Sequence, residues 1–167
     1  SRDVEVVAIP FQNVAQALDS GAIAGAMLGE PFASLGVRQG QVHILHNSFL
    51  DGDQPTAVYY NAAWAEKNPR LAQGFMVAYL KAVRDLENGG WTDPAILEII
   101  SKYTSVPVET IRGAARPYGE PDGVVNVTSL ENQQTFFKEQ GRLTYDQPLD
   151  IASLIDPRYA REAGKVL

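Results

Sequence analysis

The chain has 167 residues, enough for one ordinary domain or for part of a two-lobed protein. Its 14 basic and 20 acidic residues leave a net charge of -6, which argues against nucleic acid or an anionic membrane surface as the main partner. It has no cysteine, so disulfides, thiolate zinc sites and cysteine nucleophiles are excluded, and no apolar run is long enough to span a bilayer.

The first fifty residues read as strand, helix, strand, helix, strand, which is an α/β pattern. "DVEVVAIP" (Asp3 to Pro10) is β-branched, short and ended by proline, so it predicts a strand that is dry on both faces. "FQNVAQALDSG" predicts a short helix with Asn13 as its cap, Val14, Ala17 and Leu18 on one face, and Gly21 as its stop. "AIAGAML" predicts a second strand whose small residues allow close approach by a neighbour. "PFASLGVRQG" predicts a helix with Pro31 in its first turn, and "QVHILHNSF" a third strand.

"DGDQP" (Asp51 to Pro55) predicts a turn or linker, and "TAVYYNAAW" a strand or extended segment. The run from Asn68 to Leu86 carries the strongest helix signal. Asn68 is its expected cap, Pro69 takes the first turn, and Leu71, Phe75, Ala78, Tyr79, Ala82 and Leu86 form the expected buried stripe. "TDPAILEIISKYTS" repeats the device, with Thr92 or Asp93 as cap and Ile96, Ile99, Ile100 and Tyr103 on the apolar face. Val108, Ile111 and Ala115 recur at helical spacing. A helix from about Ser129 to Gln140 is closed by Gly141 and capped by Thr128 or Ser129. The tail predicts short helices near Asp150 to Leu154 and after Pro157.

The ordered set of a "GEPF" step, the "YYNAAWAEKNPRLAQGFMVAYLKAVRDL" run and "PDGVVNVTSLENQQTFFKEQG" resembles the later half of the periplasmic substrate-binding proteins of ABC importers. The branch it resembles is the nitrate/sulfonate/taurine and thiamine-pyrimidine-precursor type. Two positions depart from that family's pattern. Ala24 stands where relatives carry an acidic residue, and Leu28 where they often carry an aromatic.

The resemblance implies an α/β, two-lobed binding-protein fold of type II, present here as its later part, with a βαβαβ portion followed by helices. It places residues 1–52 in the second lobe, 53–60 in a hinge or crossover, and 61–167 in the first lobe. It implies a small-molecule ligand in the inter-lobe cleft, a membrane permease as partner, and a periplasmic or lipid-anchored location. The chain begins with Ser1 and is expected to be a processed product or an excerpt. The missing amino-terminal portion of the same protein is therefore a further expected partner, without which the chain is not expected to be stable.

Glu30 is the first candidate ligand residue. Taken alone it reads as a solvated carboxylate at a helix start, where the macrodipole favours it. With the resemblance it is assigned to the cleft, because ligands in open α/β sheets bind beyond the carboxyl ends of strands. Phe11 and Gln12 follow the first strand at the equivalent end. Pro31, Phe32 and Tyr59 complete the expected set, although Phe32 also suits a core position and either Tyr59 or Tyr60 is expected to be core. His43 and His46 are three apart on a predicted strand and so face opposite ways, which makes them poor joint metal ligands. No catalytic motif, cofactor or metal is expected. An enzyme of the thiamine-pyrimidine-synthase type and a ligand-sensing domain are the alternatives, and the absence of cysteine speaks against the first.

Overall fold

A computed structural model describes residues 3–46 and 52–167. Among these residues there are helices and no strand or sheet, so the expected α/β fold with a βαβαβ portion is overturned. The physical reason lies in what a strand needs. Its N–H and C=O groups require a neighbouring backbone, and no ladder joins segments 3–10, 22–28 and 41–46 among the described residues. Val4, Val6 and Val7 are exposed instead of dry. Ala22, Ala24, Gly25 and Ala26 offer little apolar area to hold a strand in place. The rest of the third expected strand, from residue 47 on, and Asp51 lie outside the described residues.

The chain divides into two compact units. One consists of Ser1–Asn47 and Gly89–Pro117, the other of Ser48–Asn88 and Tyr118–Leu167.

In the first unit, α1 (Phe11–Asp19) and α2 (Phe32–Arg38) pack together, and α2 also meets α6 (Val108–Gly113). Asn13 does not cap α1; its backbone N–H donates to Pro10 inside the first turn. Gly21, at φ 72°, supplies the left-handed stop. Gly36 makes the close packing possible, since a Cβ there would meet Val42 Cγ2 at 2.9 Å and Ala15 Cβ at 3.3 Å. Arg38 then reaches α6, where its Nη1 donates to the Glu109 carbonyl at 2.9 Å. α5 (Pro94–Thr104) is capped by Asp93, which accepts from the Ala95 N–H at 2.8 Å, and it buries Leu97. A 3-10 turn at Gly90–Thr92 leads into it.

In the second unit, α4 (Pro69–Glu87) packs on α8 (Arg158–Gly164). The contact is built from Leu80, Ala160 and Ala163, with Met76 and Val77 against them. α3 (Ala62–Lys67) occupies the end of what the sequence predicts as an extended segment. Asn61 accepts from the Trp64 N–H at 2.9 Å and so starts a helix there. Asn68 does not cap α4 with its side chain. Its Nδ2 donates back to the Trp64 carbonyl at 2.9 Å, closing α3. Tyr60 is half-buried among Trp64, Phe75 and Tyr159, and its hydroxyl donates to the Ala72 carbonyl at 2.7 Å. Burial first, and the neighbouring Tyr159 phenol second, push its pKa above the ordinary tyrosine value.

α7 (Val127–Glu139) is capped by Asn126, two or three residues before the expected Thr128 or Ser129. Ser129 is buried instead, as the hub of a polar network. Its Oγ accepts from the Gln54 N–H at 2.8 Å and from Gln133 Nε2 at 3.0 Å, and donates to Asp53 Oδ1 at 3.1 Å. Gln54 also accepts from the Asn126 N–H through its side chain at 2.7 Å. Residues 53–56, expected to be a hinge, are thereby tied to the start of α7.

Candidate functional site

The proline after "VAI" and the proline after "GE" begin two helices whose amino termini lie together. Phe11 opens α1, Phe32 opens α2, and their ring centroids are 6.3 Å apart. Between the helices runs an open groove of about 340 Å³. On α1 its wall is Phe11, Gln12, Ala15, Gln16 and Asp19. Gln12, Gln16 and Asp19 follow the i, i+4, i+7 spacing of a single helix face. On α2 the wall is Phe32, Leu35 and Gly36, continued by the cap residue Gln39 at i, i+3, i+4, i+7, and Gln41 completes the lining. From Phe11 to Asp19 a helix rises about 12 Å, enough to lie along a single-ring ligand.

The chemistry of this lining is specific. Gln12, Gln16, Gln39 and Gln41 each offer a carbonyl acceptor and an NH₂ donor. Asp19 is the single charged lining residue, and neither lysine nor arginine lines the groove. The two phenyl rings supply an apolar end. Gly36 lies in the lining, where Val42 and Ala15 leave no room for a Cβ.

The candidate residues divide as follows. Phe11, Gln12 and Phe32 come together in this groove. Glu30 does not line it. Its carboxylate accepts from the Ser34 N–H at 3.2 Å and from the Ser34 hydroxyl at 2.9 Å, so it serves the first turn of its own helix. Pro31 is half-buried at the start of α2 and is joined to Glu30 by a cis peptide bond. Tyr59 belongs to the second unit and its side chain is 83% exposed. Gln16, Asp19, Gln39 and Gln41 were not singled out in the sequence. The signal was present in part, because placing Phe11 at the first position of a helix sets Gln12, Gln16 and Asp19 on one side. For Gln39 and Gln41 no such signal exists, since only the packing of α2 on α1 brings them to the groove. Among the described residues no cluster of histidine, aspartate or glutamate has the geometry to hold a metal ion.

A model of the NMT1-like family matches residues 1–101, which takes in α1 to α4 and most of α5. No curated protein and no solved structure matches the chain. At a coarse level the family match agrees with the resemblance to substrate-binding proteins, and it does not select the branch. No helix among the described residues is long and apolar enough to cross a membrane.

Proposed function

The chain belongs to the NMT1-like family, and from that premise we propose that it is the solute-binding component of an importer, holding a small organic ligand in the groove between α1 and α2. The observation that carries this reading is the convergence of Phe11, Gln12 and Phe32, from separate parts of the sequence, on one groove inside the matched region. In this reading the protein works outside the cytoplasmic membrane and a permease receives the loaded form. Its role is binding without turnover.

The lining also favours one part of the ligand range. Nitrate and sulfonate carry charge that a site must answer with cations or several aimed donors, and here the only charge is another anion. A neutral or cationic ring bearing amino and ring-nitrogen groups, such as an aminopyrimidine, matches paired carboxamides and two phenyl faces. Titration calorimetry with an aminopyrimidine and with taurine tests the reading. Binding of the first and not the second is expected, with Gln16→Ala weakening it about tenfold for a lost hydrogen-bonding pair. Equal affinity for taurine, or no change in Gln16→Ala, would overturn it.

A further inference from the structure

α4 carries two apolar faces, and the packing inside its own unit uses one. The inward face is Ala72, Met76, Leu80 and Val83, which meets α8 and the loop at Gly119. The other face is Leu71, Phe75, Ala78 and Ala82, with Tyr79 at its flank. Leu71 is 64% and Phe75 53% exposed, and Ala78 and Ala82 are exposed as well. The spacing of this second face is four, three, four, the alternation of a coiled-coil seam. Tyr79 stacks on Phe75 and Tyr60 meets its edge, so the largest side chain of the face is held in place.

We propose that this face pairs with the same face of a second copy of the chain, helix against antiparallel helix. The order of sizes along the seam supports that occupant. Large residues, Leu71 and Phe75, come first and small ones, Ala78 and Ala82, follow. An axis between Met76 and Val77 sets Leu71 opposite Ala82 of the second copy and Phe75 opposite Ala78. Each bulky side chain then fills the space over a small one, as ridges fill grooves. A parallel pair would set Phe75 against Phe75 and leave the two alanine layers empty.

Charge agrees with the same direction. Lys67, the last residue of α3, and Arg70 stand near the amino end of α4; Asp85 and Glu87 stand at its carboxyl end beside Arg84, which is already paired with Asp122. In the antiparallel pair the cations of one copy lie beside Asp85 of the other, and the two helix dipoles oppose. Asp85 now bonds Lys81 at 2.9 Å, but both side chains are half or more exposed, so that pair rearranges at little cost. A seam of this length buries less than the roughly 1,600 Å² of a standard interface, so the pair is expected to be weak and reversible.

The absence of cysteine gives a direct test. Leu71→Cys alone and Ala82→Cys alone are expected to stay uncrosslinked on oxidation, because like positions lie about 16 Å apart along the antiparallel seam. A mixture of the two variants is expected to give a disulfide-linked mixed dimer. Sedimentation of the unmodified chain should show an average mass that rises with concentration. Ala78→Lys should weaken association at least tenfold, with circular dichroism confirming an intact fold. Arg70→Glu and Asp85→Arg should each weaken it, and the double variant Arg70→Glu/Asp85→Arg should recover it. A chain that sediments as a monomer at every concentration overturns the proposal. So does crosslinking of Leu71→Cys to itself, which would mean a parallel pair.

Discussion

Gly123 sits at φ 69°, and a Cβ there would meet the Ala160 Cβ at 2.8 Å. Its lack of a side chain therefore serves two ends at once, a left-handed turn and close packing on α8. Gly141 has a similar φ of 64° but open space around it. Gly141→Ala should cost about 1–2 kcal/mol, the strain of the left-handed conformation alone. Gly123→Ala should cost that and about 1–3 kcal/mol more for overpacking. Urea denaturation of the two variants separates the effects, and equal losses would mean that the loop yields to the new methyl group. Caps show how strongly context rules at this scale. Asn61, Asp93 and Asn126 each accept from a helix N–H, while Asn68, in an equally good position, turns back to close α3. The same amide can serve either end of a helix, and the chain geometry on each side decides which.

At the scale of an element, α4 shows a helix whose existence and inward face have separate origins. Asn68-Pro69 and the apolar repeats predict the helix over the residues where it forms. The stripe expected to be buried, Leu71, Phe75, Ala78, Tyr79, Ala82 and Leu86, is not the one that packs on α8. Leu80 is fully buried and Phe75 is about half exposed. Leu80→Ala should therefore cost about 2–5 kcal/mol and Phe75→Ala, measured on dilute protein, below about 1 kcal/mol. Thermal or chemical unfolding of both variants checks the ranking, and the reverse order would show that the face on α8 is not the one that stabilises the unit. Glu30 teaches a related lesson on α2. A carboxylate just before the first turn of a helix lies within reach of N–H groups that the helix leaves unpaired, and here Ser34 supplies both its N–H and its hydroxyl. Those local donors engage it before any ligand could.

At the scale of the whole molecule, the described residues bury few large side chains. Four of their nine buried hydrophobic residues are alanine, while Val4, Val6, Val7, Met27, Ile44 and Leu45 are exposed. The heat capacity of unfolding follows the apolar area that unfolding exposes. An ordinary chain of this length gives about 2.0–2.5 kcal/mol/K. A value clearly below about 2 kcal/mol/K is expected in calorimetry of the dilute chain. A value at or above that range would mean that these segments are buried in solution.

Sequence by itself determined the helices with local punctuation. Proline and asparagine or aspartate at the start and glycine at the end act within one turn, so the segments of α1, α4, α5, α7 and α8 were legible with their ends shifted by a few residues. It also brought Phe11, Gln12 and Phe32 into view, within a candidate set that held Glu30, Pro31 and Tyr59 as well. It did not determine the strands. The valines of residues 4–7 have the side chains of a strand, but a strand exists only when another backbone answers its hydrogen-bonding groups, and that partner is not encoded in the segment itself. Nor did it determine which of two apolar faces of α4 turns inward, because both have helical spacing and only Ala160 and Ala163, some eighty residues away, select Leu80 over Phe75. The groove was decided in the same way. The approach of α2 to α1 over Gly36 places Gln39 and Gln41 opposite Gln12 and Gln16, and no local pattern specifies a contact between helices that far apart in the chain.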